Sequence, residues 1–194
     1  MKSKRYCKTA IVLVTYHCNE GVIERVKEIQ KYASNYIITI VDNSTQKYKQ
    51  RYNLRLRLKA IDPNIIYIDH TLNCRFTAYN VGLQTTLSDF VVFRTDDDVF
   101  DEKHTFKLIN EGFEEDFVFT PYYFDNTKKV EHTYQRPIET LVFKKNSLLA
   151  FLPFKTAPSS DWQLMKKMFA TKSKKEVPLV LLYKKPHGRE ELAV

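Results

Sequence analysis

Apolar positions along the chain fall into two periods that alternate from one segment to the next. TAIVLVTY (residues 9–16) is a continuous apolar run of strand length, after which NEGVIERVKEIQKYA (19–33) sets Val22, Val26 and Ile29 at helical spacing. YIITIVDN (36–43) predicts a second strand, IIYIDH (65–70) a third, RFTAYNVGLQTTL (75–87) a helix and DFVVF (89–93) a fourth strand. VFDEKHTFKLI (99–109) then reads as the entry to another helix. Between the second and third strands, NLRLRLK (53–59) alternates residue by residue, which would turn Leu54, Leu56 and Leu58 inward and leave Arg55 and Arg57 facing out. Further on, DFVFTPYYFDN (116–126), ETLVFKKNSLL (139–149) and VPLVLLY (177–183) predict longer strands and loops beside the sheet. SSDWQLMKKMFA (159–170) predicts a helix with Trp162, Met165 and Phe169 buried. Strands alternating with helices imply an α/β fold with a mostly parallel sheet and right-handed crossovers.

Composition narrows this picture. With 194 residues, 43% hydrophobic, the chain is long enough for one well-buried domain and unlike a disordered protein. Cys7, Cys18 and Cys74 lack metal-ligand spacing, and no apolar stretch is long enough to span a bilayer or act as a signal peptide. A reduced, cytoplasmic protein is the expectation. The net charge of +8 comes from clusters such as MKSKRYCK, QKYKQRYNLRLRLK and KKMFATKSKK, which favour a polyanionic partner or are solvated surface. The Lys-, Tyr-, Phe- and Asn-rich, glycine-poor composition also fits an A/T-rich genome, such as that of a bacteriophage.

Against that basic background, FRTDDDVF (93–100) concentrates three adjacent carboxylates at the end of an apolar strand. Such charges repel, so a fold that gathers them needs good solvation or a cation. In an open α/β sheet the crevice beyond the strand ends is where ligands bind. A hard cation, Mn²⁺ or Mg²⁺, shared with a diphosphate is the natural compensator, and a solvated acidic turn is the other reading. Thr15 and Tyr16 end the first strand, and Asp42 and Asn43 end the second, on the same edge. Neither GxGxxG nor GxxxxGK[ST] is present, which argues against dinucleotide enzymes and P-loop phosphotransferases.

TYHCNE, VDNST, AYNVGLQTTLSDFVVF and TDDDVF, in that order and at strand ends, resemble the GT-A glycosyltransferases, and within them the family 2 type. The resemblance implies a single GT-A (Rossmann-like) domain over residues 1–194, with about 1–100 as the nucleotide-sugar-binding half and about 101–194 as the acceptor and catalytic half. It implies a nucleotide-sugar donor, a UDP-sugar by preference, contacted by Thr15, Tyr16, Asp42, Asn43, Arg75, Asn80, Asp96 and Asp97. Asp96 and Asp98 would hold the metal, completed by His187. Asp161 matches the place of the general base of inverting members, with Trp162 beside the acceptor. Read without the resemblance, Asp161 is a carboxylate favoured at a helix start, Arg75 a surface arginine and His187 a solvent-exposed residue. Two departures stand out: Tyr79 replaces the usual arginine before Asn80, and Thr95 replaces a common first acidic residue.

The acceptor expectations are open. The basic clusters, with Arg55 and Arg57 foremost, suit DNA carrying 5-hydroxymethylpyrimidine. A cell-surface saccharide is the enzymatic rival, and a non-catalytic nucleic-acid-binding module of the same fold is the rival from another class.

Overall fold

A computed structural model of the chain describes residues 5–124, 127–129, 134–157 and 159–185. In chain order the first half runs β1 (Arg5–Thr15), α1 (Asn19–Tyr32), β2 (Tyr36–Asp42), α2 (Gln46–Tyr52), α3 (Leu54–Ile61), β3 (Ile66–Asp69), α4 (Arg75–Leu83) and β4 (Thr86–Thr95). Next come β5 (Val99–Phe100), α5 (Glu102–Glu111), β6 (Phe117–Phe119), β7 (Tyr122–Phe124) and β8 (Thr127–Lys129). A 3₁₀ turn (Ile138–Thr140), β9 (Leu141–Lys144), α6 (Lys145–Leu149), α7 (Ser160–Thr171), β10 (Lys174–Glu176) and β11 (Leu182–Lys184) complete it.

The main sheet has seven strands in the order β10-β6-β9-β4-β1-β2-β3. β4, β1, β2 and β3 are mutually parallel, and β9 runs antiparallel to both β4 and β6. β1 lies at the centre and is buried on both faces: Ile11 and Leu13 pack with α1 into one core layer, Ala10, Val12 and Val14 with α4 and α7 into the other. That two-sided burial is why TAIVLVT carries no alternation. On α1, the expected apolar face is present as Val22, Ile23, Val26 and Ile29. A smaller sheet, β5-β11-β7-β8, is laid beside the acidic triplet; β11 pairs antiparallel with β5 and parallel with β7.

Several local expectations are corrected. NLRLRLK is helical, not extended: Leu54 and Leu58, one turn apart, are buried, while Leu56 is 66% exposed. Alternating leucines satisfy both periods at positions i and i+4, and the core layer beneath α1 selected the helical one. α4 stops at Leu83 because the backbone N–H and the hydroxyl of Thr85 both turn back to the carbonyl of Gly82, and Thr86, the first residue of β4, then pairs with Arg5 of β1. The long strands expected after residue 115 are short ones divided between two sheets, parted by Thr120 and Pro121. VPLVLLY contributes only its end to β11, and ETLVFKKNSLL splits into β9 and α6. α7 buries Leu164, Met165 and Met168; Phe169 is half-buried and Trp162 lies on the exposed side.

Two glycines set close approaches that position the strand ends. A Cβ on Gly82 would fall 2.4 Å from Val12 Cγ1, so α4 lies directly on β1. A Cβ on Gly21 would fall 2.3 Å from the carbonyl oxygen of Asp96, so the start of α1 rests on the backbone of the acidic triplet.

Candidate active site

Because β1, β2 and β4 are parallel, Thr15, Asp42 and Thr95 emerge on one edge, with Thr15 in register with Asp42 and Val14 with Thr95. A cleft of about 380 Å³ opens there, lined by Thr15, Tyr16, Asn43, Arg75, Asp97 and Lys184 among others. It unites residues from the first, second and fourth strands, the start of α4 and the end of β11.

The triplet is compensated from within the chain. Asp96 Oδ2 accepts from the Thr15 hydroxyl at 2.6 Å and the Tyr16 amide at 3.0 Å, tying the ends of β1 and β4 together. Asp98 Oδ2 accepts from the Thr95 hydroxyl at 3.0 Å and Lys184 Nζ at 2.8 Å, and its Oδ1 accepts from the Lys185 amide at 3.1 Å. Arg25 donates to the Asp98 carbonyl oxygen. Below the loop, Arg94 grips Glu102 with two bonds of 2.9 Å, both side chains buried, and Arg25 and Arg94 flank the Phe100 ring. Of the three aspartates, Asp97 lines the cleft.

At the end of β2, Asp42 is 0% exposed. Its Oδ1 accepts from the Ser44 amide at 2.8 Å and its Oδ2 from the Tyr67 hydroxyl at 2.6 Å. Asp42 therefore braces the turn from beneath, and Asn43, bonded to His70 at 2.8 Å, lines the cleft in its place. Burial, followed by Asp42, pushes the Tyr67 phenol up. Next to Tyr16, His17 stacks between Tyr16 and Tyr48 with centroid separations of 4.1 and 4.4 Å. Its Nε2 accepts from the Thr45 amide at 3.1 Å, and burial lowers its pKa, so the ring is held neutral with its proton on Nδ1.

On the other wall, Arg75 Nη2 donates to Asp161 Oδ2 at 3.0 Å, and the Trp162 amide donates to Asp161 Oδ1 at 3.0 Å. The Asp161 side chain is 1% exposed; that of Arg75 is 42% exposed. Burial pushes the Asp161 carboxyl above its usual range, while Arg75 pulls the other way. Behind this pair the Tyr79 hydroxyl donates to Glu139 Oε1 at 2.6 Å. Glu139 is fully buried, yet the charges of Arg75 and Lys184 and the Tyr79 hydroxyl overcome burial and hold its carboxyl below the usual range. Tyr79, the residue in the place of the usual arginine, thus meets a carboxylate the sequence did not flag. The only signal for Glu139 was an acidic residue directly before the apolar run TLVF.

The remaining expected residues have other surroundings. Both ends of the Asn80 amide are spent on the backbone of Phe154, at 2.9 and 2.8 Å. Arg57 pairs with Glu20 at 2.7 Å on the surface, and Arg55 is exposed on a helix, so the outward arginine ridge expected for DNA is not formed. His187 lies outside the described residues.

As bonded here, Asp96 and Asp98, the two carboxylates expected to hold the metal, do not fit a hard divalent cation. Such an ion takes six or more oxygens through open lone pairs. Three donors of this chain already occupy the Asp98 carboxylate, and its side chain is 0% exposed. Two donors occupy Asp96 Oδ2. A divalent ion beside an ammonium at ~4 Å is repelled by about 8 kcal/mol at an effective dielectric constant of ~20. Among the described residues, no three Asp, Glu, His or Cys side chains converge as a metal site.

The sequence profile described as Glycosyl transferase family 2 matches residues 10–171. No curated protein sequence matches significantly. Among solved structures, S. aureus TarS 1-349 in complex with UDP-GlcNAc superposes with a TM-score of 0.73 at 17% identity, covering 96% of this chain and 61% of that one. The mannosyltransferase PcManGT from Pyrobaculum calidifontis, in complex with GDP-Man and Mn²⁺, gives 0.73 at 15% identity, covering 97% and 59%. The bifunctional IspDF from Campylobacter jejuni gives 0.55 at 13% identity, covering 88% and 50%. The first two are GT-A glycosyltransferases, and the mixed sheet flanked by helices is the fold they share with this chain. The chain spans about three fifths of the length of either. No helix among the described residues is long and apolar enough to cross a membrane.

Proposed function

Since the chain belongs to glycosyl transferase family 2, we propose that it moves a glycosyl group from a nucleotide-sugar donor, a UDP-sugar by preference, to an acceptor hydroxyl with inversion. The observation that carries the reading is a buried carboxylate, Asp161, held by an arginine that lines the cleft at the strand ends. A base in that setting has a raised proton affinity and an orientation fixed by two hydrogen bonds, which suits proton removal from a hydroxyl. Thr15, Tyr16 and Asn43 form the part of the cleft that would seat the base and ribose, and Asp97, Arg75 and Lys184 the part beside the diphosphate.

In the reaction the acceptor oxygen bonds to the anomeric carbon as the bond from that carbon to the β-phosphate oxygen breaks. The acceptor proton passes to Asp161, and the electron pair leaves with the nucleoside diphosphate. Negative charge grows on the diphosphate in the transition state, so cations already fixed there lower the barrier without reorganising. No step is assigned to a metal ion. PcManGT carries Mn²⁺ in its structure; the Asp96 and Asp98 carboxylates of this chain are engaged by donors of the chain itself.

The acceptor that fits best is a saccharide. Trp162 follows Asp161 directly in the chain and is 39% exposed, and an exposed aromatic ring suits stacking against a sugar. For DNA, the acceptor suggested by the basic clusters, the leading arginines do not form one ridge: Arg55 is exposed on α3 and Arg57 is paired with Glu20. The test is to incubate the protein with UDP- and GDP-sugars, a saccharide panel, and hydroxymethylated and unmodified DNA, following free nucleotide and labelled product. Labelled saccharide from a UDP-sugar is the expected result. Labelled hydroxymethylated DNA would replace the acceptor, and no transfer from any donor would remove the reading.

A further inference from the structure

The chain supplies its own cation at the place where the diphosphate would leave. Lys184 reaches the cleft because β11 pairs antiparallel with β5, the short strand that directly follows the triplet, with Leu182 opposite Phe100 and Tyr183 opposite Val99. That pairing brings the next residue back onto Asp98, and Nζ sits 2.8 Å from Oδ2 with the two side chains 10% and 0% exposed. The Lys185 amide bonds the second oxygen, so backbone and side chain of one strand end close around one carboxylate. Glu139 adds a second buried carboxylate whose charge is felt by both Lys184 and Arg75, and one of its oxygens, Oε2, is buried with no hydrogen-bond partner among the described residues. Two cations, Lys184 and Arg75, thus border the cleft, each anchored to a buried acid behind it.

We propose that Lys184 is the group that neutralises the leaving diphosphate, standing where a divalent ion would otherwise be held, so that the donor binds and reacts without a metal. This rests on the nucleotide-sugar reading given above. The anchoring explains how a lysine does such work: each ion pair is neutral as a whole, but Lys184 and Arg75 line the cleft while Asp98 and Asp161 lie buried behind them, so an entering diphosphate meets two cations already fixed in place. A lysine on a mobile stem would lose that advantage to the entropy of ordering it. Asp98 and Thr95 act here as positioning residues.

The test reads nucleotide binding rather than turnover. Thermal melting and calorimetric titration with UDP are run on the full chain in EDTA and again with Mn²⁺. The inference expects equal UDP affinity in both, because a ligand that binds only the folded state raises the melting temperature by mass action whatever its cation source. Lys184→Ala should lose affinity on the order of 10²-fold in EDTA. It should also gain a Mn²⁺ dependence absent from the wild type, since Asp98 then lies open. Lys184→Arg should retain most of the binding. The wild-type comparison stands even if Lys184→Ala fails to fold. UDP binding only with Mn²⁺, or Lys184→Ala binding UDP like the wild type, overturns the inference and leaves the glycosyltransferase reading intact. Absence of binding by UDP and GDP under both conditions overturns the two together.

Discussion

Two carboxylate–cation pairs border the same cleft, and they are built to opposite ends. Asp98–Lys184 is closed: both side chains are almost inaccessible, and hydrogen bonds from Thr95 and Lys185 complete the carboxylate. Asp161–Arg75 is open on one side, with the acid buried but the guanidinium 42% exposed, and the Trp162 amide adds a further bond. A fully bonded carboxylate holds its place. One that is buried with a single partial counter-charge holds a proton more readily, which is what a general base needs. A carboxylate paired with a cation therefore gives an anchor at the end of β4 and, in the proposed reaction, a proton acceptor at the start of α7.

Asp161→Asn gives the largest expected effect. Transfer should fall on the order of 10²–10³-fold while UDP binding is kept, as measured by steady-state rates and titration. The same variant has a stability signature. Burial raises the Asp161 carboxyl in the folded state, so the wild type is most favoured when this group is protonated and loses that advantage as the pH rises through the folded pKa. The asparagine variant escapes the loss, and its melting temperature should exceed that of the wild type at neutral pH and converge with it in acid. Near-normal turnover would make both pairs anchors.

Gly21→Ala strikes the anchor side alone. The new methyl meets the Asp96 carbonyl oxygen at 2.3 Å, so α1 or the triplet must shift, at a cost of about 1–3 kcal/mol in denaturant unfolding. UDP affinity should fall with it. Unchanged affinity would separate the triplet from the donor.

Glu139→Gln tests the opposite sign of linkage. The folded-state carboxyl of Glu139 is lowered, so its contribution is present above the unfolded pKa and is lost as the pH falls through the folded one. The variant should be less stable than the wild type at neutral pH, with the gap closing in acid, the reverse of Asp161→Asn. Melting curves across pH decide it; a gap that does not depend on pH would make Glu139 a packing residue. Arg57→Ser gives the smallest effect. An exposed pair with Glu20 contributes little, so melting temperature and UDP affinity should match the wild type, and a loss of either would bring α3 into the site.

Legibility followed the range of the interaction. The strand ends carrying Thr15, Asn43 and Asp97 could be read from the sequence, because a buried parallel strand is a local apolar run and its C-terminal edge follows from topology. Asp161 was readable as a first-turn residue for a similar reason, since the polar SSD stretch precedes helical spacing. Leu54 to Leu58 was not: alternating leucines fit two periods, and only the neighbouring core layer chose between them.

What the chain determined by itself is the order of the first four strands, the α/β class and the gathering of Thr15, Asn43 and Asp97 at one edge, all consequences of hydrophobic period and strand direction. Tertiary structure alone decided that Asp42 turns beneath the cleft to meet Tyr67, that Tyr79 finds Glu139, and that Lys184 returns to Asp98. Each of those pairs joins residues from different elements, and Lys184 lies 86 positions from its partner. No local pattern encodes which charge will face another once the strands are packed; burial makes the choice, because a carboxylate removed from water must find its donors wherever the fold brings them.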